Sequence, residues 1–282
     1  MNTSGLHGRV AVVIGGAGGV GRGLAFGLLE EGMRVVVADI DLEGARAVVE
    51  EAARRGVGPD RAFEAPVDST DRGTLQALAG AAAARFGAIH VLVNTVGVIF
   101  DGPVVSATDE DWLWTFELNV LSQVRAVQLF LPHLRAADGL RHIVITASVA
   151  GLVAPPPELP IGLYTATKHA VVAYSEHLRT ELAGEAIGVS VLCPTRIAGN
   201  LAATSARERL RRLGQATPEG WGTPPDPSDL TPAESLGPLV AGAIRANRFV
   251  VCNRPDALLA AFEQRRQLIR DDLEYLRSTT PE

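Results

Sequence analysis

Tyr164 and Lys168 stand four residues apart in Tyr-Thr-Ala-Thr-Lys, so on a helix a phenol and an ammonium share one face. A free phenol titrates near 10, too high for efficient proton transfer at neutral pH. A fixed cation beside it favours the phenolate and lowers that value. Lys168 is also the only lysine among the chain's 26 Lys and Arg residues. Arginine replaces lysine on a solvated surface at little cost, but a planar guanidinium does not replace a compact ammonium beside a phenol. Upstream, Ser148 follows an apolar run and offers a hydroxyl to a substrate oxygen, or caps the turn. Asn119, within Glu117-Leu118-Asn119-Val120, is an amide among apolar neighbours. Buried there it must be hydrogen-bonded, as a structural clamp or as the holder of an ordered water.

A second chemistry sits near the N-terminus. Gly15-Gly16-Ala17-Gly18-Gly19-Val20-Gly21 follows the apolar run 10–14 and opens a helical pattern. Glycines permit the tight turn and a close backbone approach to a diphosphate, which a helix N-terminus attracts. Asp39 ends the next apolar run, about 20 residues on, where an acid accepts both hydroxyls of an adenosine ribose and repels a 2′-phosphate. NAD(H) is therefore expected over NADP(H). Asp41 is better placed than Asp39 to cap the helix that follows.

The elements that must hold these groups alternate along the chain. Runs at 10–14, 34–38, 90–94, 142–146 and 189–193 are nearly continuous in Val, Ile and Leu, as parallel strands covered on both faces are. Residues 61–67 form a weaker strand whose Pro66 suits only an edge or an end, and 249–252 read as a last strand. Helical patterns cover 21–31, 42–55, 70–86, 108–134 and 164–183, with Thr108 and Asp111 as a capping pair at one start. The alternation predicts a doubly wound, mostly parallel seven-stranded sheet with helices on both faces. A single domain over 1–282 is expected. Residues 198–238, rich in Gly, Pro and Arg, break the periodicity and read as an irregular substrate lid containing Trp221. Residues 255–282 read as a helical extension.

Composition narrows the classes. A net charge of −6 argues against broad binding of nucleic acid or membrane surfaces. The run Arg207-Glu208-Arg209-Leu210-Arg211-Arg212 reads as a solvated helix face. Cys193 and Cys252 are too few for a disulfide framework, and no His/Cys cluster points to a metal. No run of about 20 apolar residues and no charged leader appear, so a soluble cytoplasmic protein is expected.

Together these motifs resemble the short-chain dehydrogenase/reductase family over about residues 6–251. The resemblance rests on the glycine loop, Asp68 after the third strand, Asn94-Thr95-Val96-Gly97, Asn119, Ser148, and Tyr164 with Lys168. It implies Tyr164 as general acid/base, Lys168 as holder of the nicotinamide ribose, Ser148 on the substrate oxygen, and Asn119 on a relay water. It places Asp68 and Ser69 near the adenine. Asn94, Gly97, Pro194 and Ile197 join Gly15, Ala17, Gly18, Gly19, Val20 and Gly21 around the cofactor. The implied reaction is hydride transfer between NAD(H) and a secondary alcohol or ketone, without a metal, in a homo-oligomer (tetramer or dimer) built through the helices at 108–134 and 164–183.

Departures from the family pattern are few. Ile14 replaces a threonine that braces the turn, Thr95-Val96 replaces Asn-Ala, Thr195 replaces a glycine after Pro194, and Gly199 stands near a common threonine. Ser148 and Tyr164 lie 16 residues apart, with a proline-rich loop between them. Leu152 and Val153 there line a pocket wall or pack in the core. A hydrophobic or aromatic substrate is expected, with Trp221 closing the opposite side. Two alternatives stand beside this: an NADP(H)-preferring ketoreductase, with Arg22 meeting the 2′-phosphate, and a non-catalytic dinucleotide-binding protein.

Overall fold

A computed structural model describes residues 5–156, 158–218 and 226–279. Seven strands form one sheet, all neighbours parallel: β1 (Val10–Ile14), β2 (Arg34–Asp39), β3 (Ala62–Pro66), β4 (Val91–Asn94), β5 (Arg141–Thr146), β6 (Ile187–Leu192) and β7 (Val250–Val251). Their order is β3-β2-β1-β4-β5-β6-β7. The chain reverses direction across the sheet between β1 and β4, and ligands of open α/β sheets bind at such a switch point, beyond the strand C-termini. β3 is an edge strand, which is how Pro66 is accommodated at its end without losing a ladder bond on both sides.

Alternation along each strand feeds two cores. Val10, Val12 and Ile14 face one side, with α3 (Arg72–Phe86), α5 (Ser122–Ala136) and α6 (Gly162–Glu181). Ala11 and Val13 face the other, with α1 (Gly19–Glu30), α2 (Leu42–Arg54) and α8 (Leu236–Ala246). Each fully buried Val, Leu or Ile contributes roughly 1.5–3 kcal/mol. Burial on both faces is why the strands read as unbroken apolar runs.

Two expectations need correction. The helix expected over 108–134 is divided: α4 (Asp109–Phe116) passes through a π-helical turn, Glu117–Leu121, into α5. The extra residue of such a turn re-aims side chains, and π-turns gather at functional sites; here the re-aimed residue is Asn119. The segment 198–238 is not simply irregular. It carries α7 (Leu201–Leu213) and the start of α8. α7 turns its polar face inward, burying Ser205 and Arg209 while Leu210 is exposed, and is held by ion pairs, so its apolar spacing points away from its true docking face. Past β7 lies α9 (Pro255–Thr279). Pro157 and Trp221 lie outside the described residues.

Candidate active site

The glycine loop is built around one contact. A Cβ on Gly21 would lie 2.0 Å from the Gly15 carbonyl oxygen, and Gly15 itself adopts φ +84°, so the sequence has no alternative residue at either place. Gly15 and Gly16 both donate to Ala38 O, at 2.8 and 3.0 Å. The brace missing at Ile14 is supplied from across the sheet: Thr95 Oγ1 lies 2.9 Å from Ile14 O and 3.0 Å from Gly15 O. One departure from the family pattern thus offsets another. Gly18, at the start of α1, is extended and offers no side-chain cap, which leaves the first helical N–H groups for an anion. A Cβ on Gly18 would come 3.2 Å from the Asn200 amide, and one on Gly199 3.2 Å from Gly19 Cα. The chain before α7 therefore roofs Gly18 and Gly19.

Asp39 ends β2 and accepts from Ala17 N at 2.9 Å and Asp41 N at 3.0 Å. Burial pushes its carboxyl above the usual range, against those backbone bonds. Asp41, not Asp39, caps α2, accepting from Gly44 N at 2.9 Å. Arg22 is committed elsewhere, to Glu51 at 2.7 Å and Glu234 at 2.5 Å. Val20 packs against the core on the α1 side of the sheet.

Ser148, Tyr164, Lys168, Asn119 and Gly97 converge at the ends of β4 and β5. Burial pushes the Tyr164 phenol up to about 12, with the neighbouring Ser148 hydroxyl acting the other way. Lys168 is 3% exposed, and burial pushes its ammonium down to about 8. Its Nζ donates to Thr146 O at 3.0 Å and lies 5.5 Å from the centre of the Tyr164 ring. A Cβ on Gly97 would be 3.1 Å from both Lys168 Nζ and Asn119 Oδ1, so only glycine leaves space between them. Asn119 is fully buried. Its Oδ1 accepts from Val98 N at 2.7 Å, and its Nδ2 reaches Val98 O and Thr167 Oγ1, each at 2.9 Å. These contacts anchor the amide between the turn after β4 and α6.

Several contributors escape the sequence. Thr167 donates to Tyr164 O at 2.7 Å and so links Asn119 to the helix carrying the phenol. Asn253 grips Thr195 on both sides, Oδ1 accepting from its N–H and Nδ2 donating to its carbonyl, each at 2.9 Å. That fixes the segment between Pro194 and Ile197, and Ile197 bridges to Thr231. Asn94 is buried, its Oδ1 accepting from Val96 N at 3.1 Å while its Nδ2 has no partner. No short-range pattern marks Thr167 or Asn253; each acts through distance in the fold, not spacing in the chain.

The basic run is corrected most. Arg209 is buried and forms a 2.5 Å ion pair with buried Asp111, whose other oxygen accepts from Thr108 N at 3.0 Å in the capping box of α4. Arg212 holds both oxygens of Asp68 at 2.9 Å and Thr70 Oγ1 at 3.0 Å, and Ser69 beside them is buried. Ile99 N donates to Ser205 Oγ at 2.9 Å. α7 is therefore fastened across the strand ends rather than exposed on one solvated face. Beneath it lie Val98, Trp114 and Leu118, with Leu213 packed on them. Leu152 packs on the core and its carbonyl accepts from Arg265, which favours the packing role for that residue.

The family model described as short chain dehydrogenase matches residues 9–210. The chain belongs to the short-chain dehydrogenase family. A 1-deoxy-11-beta-hydroxypentalenate dehydrogenase of Streptomyces avermitilis is 34% identical over 194 residues, covering 68% of this chain and 70% of its own. A fluoren-9-ol dehydrogenase of Terrabacter sp. is 31% identical over 66% of this chain and 56% of its own. A family member from Burkholderia phymatum, crystallised with NAD, superposes with a TM-score of 0.79 at 30% identity, covering 99% of this chain and 98% of that one. As a member of this family the chain is an oxidoreductase acting at an alcohol or carbonyl group. Among the described residues no helix is long and apolar enough to cross a membrane.

Proposed function

We propose that this short-chain dehydrogenase moves a hydride between NAD(H) and a secondary alcohol or ketone on a hydrophobic, ring-bearing framework. The observation that carries the proposal is the convergence of Ser148, Tyr164 and Lys168 beside Gly97, at the sheet's switch point, with the glycine loop on the adjoining strand. The residues fit a dinucleotide. Gly15 and Gly21 pack so closely that no side chain fits at either place, which holds the loop tight before the uncapped start of α1, and buried Asn94 Nδ2 has a donor to spare. Gly15 to Gly21 would take the diphosphate, Asp39 the adenosine ribose, Asp68 and Ser69 the adenine surroundings, and Gly97, Lys168, Pro194 and Ile197 the nicotinamide end. The nicotinamide, when bound, accepts or returns the hydride.

The protein's own groups manage the proton and the position. Ser148 Oγ holds the substrate oxygen, and the Tyr164 oxygen exchanges its proton. Lys168 offsets the phenolate charge that burial disfavours. Asn119 and Thr167 keep α6 in register with the turn after β4. Asp39 and the commitment of Arg22 to Glu51 and Glu234 support NAD(H) over NADP(H). The apolar patch under α7 and the polycyclic alcohol named for the Terrabacter relative support a hydrophobic substrate. α7 acts as the lid of one domain, and the enzyme works as a homo-oligomer in the cytoplasm.

The test is a panel of polycyclic, aromatic and short polyol alcohols with their ketones, followed by nicotinamide absorbance with each cofactor. Turnover of the apolar members with NAD is expected, and Tyr164→Phe should abolish it with NAD binding nearly intact. A strong NADP(H) preference, or wild-type turnover in Tyr164→Phe, overturns the reading.

A further inference from the structure

Helix α9 runs for 25 residues, and Leu258 is its one buried side chain. Its first turns are tied to the body, where Arg265 donates to Leu152 O at 2.9 Å and meets His169 Nε2 at 3.0 Å. Along the adjoining face, Leu259, Phe262, Ile269, Leu273 and Leu276 are 40% to 66% exposed. With Arg266 they form a series spaced 3, 4, 3, 4 and 3 residues apart. That is the a/d repeat of a coiled coil, with Leu268 and Tyr275, 64% and 68% exposed, flanking it on one side. A single helix gains nothing from such a seam in water; it needs a second helix carrying holes for the same knobs.

We propose that this seam pairs α9 with α9 of a second copy of the chain, the two helices antiparallel. The charges at the flanking positions decide both the partner and the direction. In a parallel pair Arg266 would lie against its own counterpart, and Arg265 of one helix would meet Arg270 of the other, like charge on like. In the antiparallel pair each Arg266 faces Ile269. The flank then matches Glu263 with Arg270 and Asp256 with Arg277, each match occurring twice by symmetry, while Arg265 stays on Leu152 O and His169. Arg266 already leans along its own helix to Glu263, which draws its charge off the seam toward that flank. Lipid is the poorer occupant. The helix carries four arginines against five carboxylates, whereas helices that lie on anionic membranes carry a basic polar face.

The experiment is the solution mass of the full-length protein by light scattering at micromolar concentration, with turnover measured on the same samples. Because the helices at 108–134 and 164–183 are expected to join chains on their own, the α9 seam should double that assembly, and the wild type is expected to contain four chains. Ile269→Glu with Leu273→Glu should halve that mass and leave kcat in place, since neither side chain reaches the site. Glu263→Arg alone sets Arg against Arg270 of the second copy and should weaken association at least tenfold, and adding Arg270→Glu should restore it. A monomeric wild type overturns the proposal, and so does an unchanged mass in the double glutamate variant. Failure of Arg270→Glu to restore association overturns the antiparallel arrangement. Loss of turnover with unchanged mass would instead count against the reading of the active site.

Discussion

Replacing Lys168 by methionine separates what the ammonium does for chemistry from what it does for the fold. Nζ lies 5.5 Å from the centre of the Tyr164 ring. With the ring centre standing in for the phenolate charge, a unit charge at that separation and an effective dielectric of about 20 favours the phenolate by about 3 kcal/mol, roughly two pKa units. Since burial pushes the phenol up to about 12, losing the cation should lower kcat by about 100-fold from proton transfer alone. Stability moves the other way. Burial holds Lys168 at about 8, below its ordinary 10.5. Between those values the unfolded chain binds the extra proton, so stability rises with pH across that window. Below about 8 the folded protein carries the full cost of the buried ammonium, on the order of 3 kcal/mol. Methionine removes that cost and forfeits the bond to Thr146 O, about 1 kcal/mol. The variant should therefore match or exceed the wild type in stability at pH 7, by on the order of 2 kcal/mol, and lose the rise toward pH 10. Lys168→Arg keeps the charge, but Gly97 and Thr146 leave no room for a branched guanidinium, so both activity and stability should fall. The assays are initial rates at saturating cofactor and thermal melting at pH 7 and pH 9. A methionine variant that keeps more than about a tenth of kcat, or that melts clearly lower at pH 7, refutes the reasoning.

Three further substitutions probe other parts of the site. Asp39→Asn keeps an acceptor for Ala17 but drops the charge, so the kcat/KM ratio of NAD to NADP should fall at least about tenfold; an unchanged ratio removes Asp39 from cofactor choice. Asp111→Asn leaves Arg209 buried without its counter-charge and should cost about 3 kcal/mol, read as denaturant midpoint. Adding Arg209→Met should recover most of that loss, and a single variant as stable as the wild type would show that the pair does not fasten α7. Thr95→Val removes the brace on the glycine loop, about 1 kcal/mol. It should weaken NAD binding roughly fivefold by calorimetry, with kcat at saturation unchanged; equal affinity would make the brace dispensable.

Much of this architecture is legible locally. A strand buried on both faces has to be apolar at every position, so β1, β2, β4, β5 and β6 stand out along the chain. The glycine loop and the Tyr164–Lys168 pair are equally visible, because each does its work within a few residues of itself. What stayed hidden has no short-range signature. α7 is polar on most faces and is secured by partners far away, Arg212 on Asp68 across 144 residues, so its arginines resemble a solvated surface. The π-turn that aims Asn119 inward shares the side-chain pattern of the α-helix around it, and only the backbone distinguishes them.

Residue type and spacing by themselves determined a doubly wound sheet, a glycine-rich turn at the start of a helix, and a phenol with an ammonium on one helix face. Only the tertiary structure decided which groups complete them. Thr95 replaces the brace that Ile14 lacks, Thr167 ties Asn119 to the helix of Tyr164, and Asn253 sets the turn after Pro194. The physical reason is the same in each case. A hydrogen bond or ion pair depends on a separation of about 3 Å, and for residues from different strands and helices that separation is set by packing, not by position in the chain.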